Sequence, residues 1–228
     1  ARDLPDGFEI VWQERTVVRH TAARPLLLLS RGTGEYKMRH GSFKIKDREE
    51  ECFTPDTYAL EHRDDGITAC SAGADIHFRV QAGRLEITFS VRDHRLNRLY
   101  FNLTAADDEH IFGAGEQYSA IDLRGRKLPV WCEEQGIGRG RDLITFLAEL
   151  THGAGGAWYT TYFPQPTFLS SKCWYCHIDA SAYMELDFTG AAHAICCWEI
   201  PRAIIIGQQP DPPSLLADLT SLLGRQPV

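Results

Sequence analysis

Ile76-His-Phe-Arg-Val-Gln-Ala-Gly-Arg-Leu-Glu-Ile-Thr-Phe-Ser-Val91 is the stretch on which the fold reading turns. Ile76, Phe78 and Val80 alternate with His77, Arg79 and Gln81. After Ala82-Gly83 the alternation resumes with Leu85, Ile87, Phe89 and Val91. A period of two buries one face of an extended strand, and two such runs around a two-residue Ala-Gly step predict a β-hairpin.

Outward from this hairpin the same style continues. Upstream, residues 8–12, 25–29, 42–46, 57–62 and 67–71 read as strands, with turn signals at Gly32-Thr-Gly34, Asp64-Asp-Gly66 and Ala72-Gly73. Asp65-Gly66 predicts a second hairpin. Downstream, residues 145–150, 157–163, 168–171, 174–177, 182–188, 195–199 and 203–206 are rich in aromatic and β-branched side chains and also predict strands. The expected fold class is all-β, an antiparallel β-sandwich.

One helix is expected, at the end. Leu215, Leu216, Leu219, Leu222 and Leu223 recur at helical spacing after Pro212-Pro213, with Ser214 as the N-cap and Gly224 as the stop. Residues 1–212 therefore read as one β-sandwich domain and 213–228 as a linker helix leading to a further domain.

Composition narrows the function classes. A net charge of -7 disfavours a nucleic-acid or anionic-membrane partner. No apolar run approaches the roughly 20 residues needed to cross a bilayer. The chain starts at Ala1, and no secretion signal is visible there. Seven cysteines at irregular spacing suit reduced thiols in a cytoplasmic protein better than a disulfide framework. Cys173-Trp-Tyr-Cys176 has no second Cys-x-x-Cys to complete a zinc site, and Cys196-Cys197 on a strand would face opposite ways.

The segment 111–141 is the densest in glycine, charge, amide and aromatic side chains, and its irregular part, 123–143, has the length of a functional loop. Glu133 and Glu134 are adjacent, so in an extended segment they point to opposite sides and cannot flank one glycosidic bond. Glu116 is a further carboxylate that spacing alone does not place. Gly113-Ala-Gly115 lacks the third glycine and the helix of a dinucleotide site. Gly136, Gly138 and Gly140, alternating with Ile137, Arg139 and Arg141, end in no Gly-Lys-Ser/Thr; they shape either a solvated loop or a basic rim for an anion. His152, His177 and His193 are scattered, and Ser170-Ser171 have no Gly-x-Ser-x-Gly frame. Trp131, Trp158, Trp174, Tyr159 and Tyr162 serve either a core or a sugar platform. No complete catalytic set emerges from the residues alone.

Three segments carry a resemblance. Gly113-Ala-Gly115-Glu116, Arg124-Gly125-Arg126 and Val130-Trp131-Cys132-Glu133-Glu134 resemble the N-terminal region of glycoside hydrolase family 31, the retaining α-glucosidase-like enzymes. After Trp131 the run from Glu134 to Arg139 is similar to the sulfoquinovosidase branch, as are the segments 39–47, 162–168, 175–179 and 222–227. The resemblance implies a galactose-mutarotase-like β-sandwich preceding a (β/α)8 barrel that is absent here, with the active-site loop near 124–142. It places both catalytic aspartates on that barrel, so no catalytic residue is expected in this chain. It implies Glu134 as an acceptor for sugar hydroxyls, Gln135 as its neighbour, and Arg139 and Arg141 as residues that order the loop or favour an anionic substrate. The implied partners are a sulfoquinovoside and the chain's own C-terminal barrel, with no metal or organic cofactor. An α-glucosidase, an α-xylosidase or a stand-alone carbohydrate-binding sandwich are the alternatives.

Overall fold

Ala82 and Gly83 both adopt positive φ, 50° and 77°. That is the pair of conformations a two-residue type I′ hairpin requires, because its twist matches that of the flanking strands. The hairpin at 76–91 forms as the alternation predicts, with Ile76, Phe78, Leu85 and Ile87 buried.

A computed structural model describes residues 1–140 and 142–225. The expectation for Arg141 and the last three residues of the linker segment lie outside them. In chain order the strands are β1 (Arg2–Leu4), β2 (Gly7–Trp12), β3 (Arg15–Thr21), β4 (Leu27–Arg39), β5 (Ser42–Phe53), β6 (Ala59–Arg63), β7 (Gly66–Cys70), β8 (Ala74–Gln81), β9 (Arg84–Val91), β10 (Arg98–Thr104), β11 (Ile111–Gly115), β12 (Lys127–Val130), β13 (Pro164–Ser170), β14 (Trp174–Asp179), β15 (Met184–Asp187), β16 (Ala192–Cys197) and β17 (Ala203–Gln208). Two helices accompany them, α1 (Leu143–His152) and α2 (Pro212–Leu223).

The strands make an antiparallel sandwich. A six-stranded sheet has the order β12-β15-β16-β10-β4-β5, and an eight-stranded sheet the order β11-β13-β14-β17-β9-β8-β7-β6. A small sheet, β1-β2-β3, completes the set. Leu27, Leu29, Leu99, Phe101, Leu186 and Ile195 from the first sheet form one core with Ile76, Ile87, Phe168, Ile178, Ile204 and Ile206 from the second.

The outer face of the eight-stranded sheet carries α2. Leu215 and Leu219 pack on Tyr175, and Arg84 donates to Asp218 and to the Tyr175 hydroxyl. The N-cap is Asp211, not Ser214: the Asp211 carboxylate accepts from the Ser214 N–H at 2.9 Å and from its hydroxyl at 3.0 Å. A carboxylate accepts both bonds at once, which a serine one turn later cannot do for its own N–H.

The single-helix expectation is corrected by α1, which replaces the strand expected at 145–150. Leu143, Phe146, Leu147 and Leu150 stand at i, i+3, i+4 and i+7, a helical period. Asp142 caps the start, accepting from the Thr145 N–H at 2.9 Å, and Gly153 ends it in the left-handed conformation. The strand expected at 157–163 is a turn, with an isolated β-bridge from Thr161 to Cys132 of the loop. Strands β1, β3, β10, β11 and β12 were not expected from the sequence. In β10 a buried Arg98 interrupts the apolar pattern, and Asp47 of β5 satisfies it at 3.0 Å.

Glu109 sits between the two sheets, 3% exposed. It accepts from His193 Nε2 on β16 at 2.7 Å, Trp174 Nε1 on β14 at 2.7 Å, the Ala106 N–H at 3.1 Å and the Ser170 hydroxyl on β13. Burial alone would raise its pKa; the hydrogen bonds from His193, Ser170 and the Ala106 N–H, with the charge of His193, outweigh burial and hold it at about 2.

Two stability predictions follow from these positions. Ala82→Asn, which tolerates positive φ better, raises the unfolding midpoint by the equivalent of about 0.5–1 kcal/mol in thermal denaturation. Because the folded pKa of Glu109 is depressed, its contribution is complete above about pH 4.5 and is lost as pH falls toward 2. Glu109→Gln destabilises the protein by about 1–3 kcal/mol at pH 7 and flattens stability against pH on that acid limb, measured by urea titration at stepped pH.

Candidate active-site loop

The approach to the loop starts with β4 and β5. Strand β4 pairs with β10 only through residues 27–30. Beyond that, β4 and β5 pair with each other alone and run out as an arm. The arm turns at His40 and Gly41, both at positive φ (54° and 81°). Tyr36 on the arm stacks on Trp131 at 5.5 Å between ring centroids, and Phe43 meets the same indole edge-on at 5.5 Å. Trp131 is therefore the hinge post on which the loop leaves the sheet edge. Tyr159 packs on the apolar core and Trp174 is buried within it; neither is a sugar platform.

The two adjacent glutamates diverge, as an extended backbone requires. Glu133 turns inward and accepts from the Phe43 N–H at 3.3 Å; burial raises its pKa, and that hydrogen bond only partly offsets the effect. Glu134 is exposed. Its N–H donates to the Gly41 carbonyl at 2.9 Å, and its carboxylate accepts from the Tyr162 hydroxyl. Glu134 thus has a fixed backbone and an exposed carboxylate held by Tyr162.

Gln135 and Arg139 close on each other. The Arg139 guanidinium donates to Gln135 Oε1 at 2.8 Å and to the Thr160 carbonyl at 2.7 Å, and lies over the Tyr118 ring at 4.5 Å. Gln135 Nε2 donates to the Tyr118 hydroxyl at 2.9 Å. That hydroxyl donates to Glu116 Oε2 at 2.6 Å. The structure thus brings Glu134, Gln135 and Arg139 together, and adds Glu116, Tyr118 and Tyr162, which sequence spacing did not assemble. The signal for Glu116 was present in the Gly113-Ala-Gly115-Glu116 motif; Tyr118 carried none.

The glycines serve packing. At Gly138, φ is 70° and a Cβ would lie 1.8 Å from Thr145 Oγ1. The backbone here lies flat against the start of α1. On the other side, the Ile137 N–H donates to the Ala154 carbonyl at 2.7 Å. That bond takes the Ile137 N–H away from any ligand. Among the described residues, no group of three or more His, Cys, Asp or Glu is placed to hold a metal ion. The described cysteines are all free thiols. Among the described residues no helix is long and apolar enough to cross a membrane.

Beside the loop, α1 exposes Leu143, Ile144, Phe146, Leu147 and Leu150, while only Thr145 and Ala148 are buried. Phe163, Ile137 and Ile121 add exposed apolar surface from neighbouring segments.

A sandwich bearing a braced polar loop and no catalytic pair is the class that fold and site define. Comparisons with known proteins then fix its kin. The chain is 36% identical over 97% of its length to a sulfoquinovosidase of Escherichia coli and 34% identical over 97% to one of Agrobacterium fabrum. Among solved structures it superposes on a GH31 family sulfoquinovosidase from E. rectale, solved with an aza-sugar inhibitor, with a TM-score of 0.92, 31% identity and 99% of the chain covered. The chain spans 34% of the length of each of these proteins. No protein-family model matches it. In sequence and in fold the chain is thus similar to sulfoquinovosidases, among them one of glycoside hydrolase family 31, over about a third of their length.

Gly138→Ala would force a side chain onto a positive-φ residue and into Thr145. It is expected to destabilise the loop–helix junction by about 1–3 kcal/mol. Limited proteolysis checks this: cleavage is expected to rise within residues 131–156 before the core strands open.

Proposed function

We propose that this chain is the N-terminal domain of a retaining α-glycosidase that hydrolyses α-sulfoquinovosides such as those released in sulfolipid breakdown. Residues 1–212 form the sandwich with the active-site loop near 124–142, and 213–228 lead into a (β/α)8 barrel in the remainder of the polypeptide. The observation that carries this reading is Glu134: exposed, anchored through its N–H on Gly41 and held by Tyr162. Such a carboxylate accepts hydrogen bonds from sugar hydroxyls. The length ratio to the relatives supports the missing partner, since about two thirds of each lies beyond the matched part. So does the uncovered apolar side of α1, where Leu143, Ile144, Phe146, Leu147 and Leu150 are all exposed, since exposed apolar patches mark interaction surfaces.

The chemistry in the complete enzyme is double displacement at the anomeric carbon. One barrel aspartate attacks to form a glycosyl-enzyme intermediate; a second protonates the leaving oxygen, then activates the water that releases the sugar. The two carboxyl groups must lie about 5 Å apart across the scissile bond. Glu133 and Glu134, turned to opposite sides, do not meet that requirement. Glu134 and Gln135 bind substrate and leave bond cleavage to the barrel.

The test is hydrolysis of a chromogenic α-sulfoquinovoside, with the matching α-glucoside and α-xyloside as controls. The complete polypeptide is expected to prefer the sulfonated sugar and to release it first as the α-anomer, read by NMR. Glu134→Gln is expected to raise KM by about 10-fold or more, the scale of losing one charged hydrogen bond. The isolated 228-residue chain is expected to show no turnover. Turnover by that chain, or preference for plain glucose, would overturn the reading.

A further inference from the structure

Tyr118 touches three polar residues at once, Glu116, Gln135 and Arg139. Its hydroxyl donates to Glu116 Oε2 at 2.6 Å and accepts from Gln135 Nε2 at 2.9 Å. Its ring lies under the Arg139 guanidinium at 4.5 Å. Arg139 in turn is committed to Gln135 Oε1 and the Thr160 carbonyl. Gln135 therefore has its amide nitrogen fixed by Tyr118 and its amide oxygen fixed by Arg139. An amide so held presents one face only, with oxygen and nitrogen unable to exchange places.

We propose that Tyr118 is a positioning residue for the substrate loop, and that Arg139 orders that loop through Tyr118 and Gln135 without contacting the anionic group of the substrate. The proposal rests on the reading of the loop as a substrate wall. Tyr118 connects it to β11: Gly115 ends that strand, Glu116 follows, and the Glu116 N–H donates to the Phe163 carbonyl at 2.9 Å. The position of Gln135 is thereby referred to the rigid sheet edge, and a loop on a braced edge holds a ligand better than one free to sample conformers.

Three full-length variants test this: Tyr118→Phe, Gln135→Ala and the double variant. Tyr118→Phe keeps the ring under Arg139 and deletes both hydroxyl bonds. It is expected to raise KM for the sulfoquinovoside about five-fold, the equivalent of a net hydrogen bond, with kcat within two-fold of wild type. The double variant is expected to be no worse than Gln135→Ala alone, because the two residues act as one unit. Hydrogen exchange gives a second readout that needs no activity. The amides of Glu133, Glu134 and Ile137, bonded to Thr161, Gly41 and Ala154, are expected to exchange faster in Tyr118→Phe, while core-strand amides do not change. Unchanged exchange at those amides, or fully additive kinetic effects, would overturn the proposal. Faster exchange with unchanged KM would leave Tyr118 as the brace and remove the loop from substrate binding, which overturns the underlying reading instead. A selectivity between sulfonated and plain glucosides that falls in Arg139→Met but not in Tyr118→Phe would show that Arg139 meets the anion directly.

Discussion

A carboxylate sealed between two sheets is tolerable only if its lone pairs are all engaged. Glu109 meets that condition with donors drawn from both sides of the sandwich: His193 from one sheet, Ser170 and Trp174 from the other, and the Ala106 N–H from its own turn. The requirement fixes how the sheets face each other, because shifting either by one residue would strand the charge. Two residues on, Ile111 begins β11, and β11 delivers Glu116 to Tyr118. A buried electrostatic constraint in the core is thus connected, through one short strand, to the orientation of an amide at the surface loop.

The loop has three independent supports. The β4–β5 arm holds Glu134 through Gly41, the 154–162 segment holds Glu133, Ile137 and Arg139 through carbonyls, and Tyr118 holds Gln135. The bonds of Glu133, Glu134 and Ile137 are backbone contacts, which depend on conformation more than on side-chain identity. The glycine content that first suggested ligand binding is explained by these close approaches. Arg139, which in the sequence looked available to an anion, spends both terminal nitrogens on the protein itself.

Much of this was legible in the residues. Alternation around Ala82-Gly83 gave the hairpin, the leucine spacing after Asp211 gave α2, and the glycine-rich polar run marked the loop. Failures occurred where tertiary partners override local pattern. In β10, Arg98 stands at a buried position made acceptable by partners distant in sequence, Asp47 and the ring of Trp198. In α1 the leucine and phenylalanine period was present, but the isoleucine and threonine among them favoured an extended reading, and the Asp142 cap and Gly153 stop decide for helix. Tyr118 was illegible for a different reason. Its partners stand 17 and 21 residues further on, and no spacing rule links a tyrosine after one strand to an amide on a later loop.

The tip of the β4–β5 arm meets the loop through a main-chain carbonyl and a residue without a side chain. His40, next to that contact, is exposed. Its side chain meets no steric limit from the loop, but its positive φ favours Asn, Asp, His or Gly over β-branched residues. Gly41 cannot accept a Cβ, which would fall 2.9 Å from Glu134 Cβ. Mutation there is filtered unevenly: one position tolerates a small set of residues, and its neighbour is restricted to one by geometry alone. The arm can thus diversify at the rim of the loop without eroding the support beneath it.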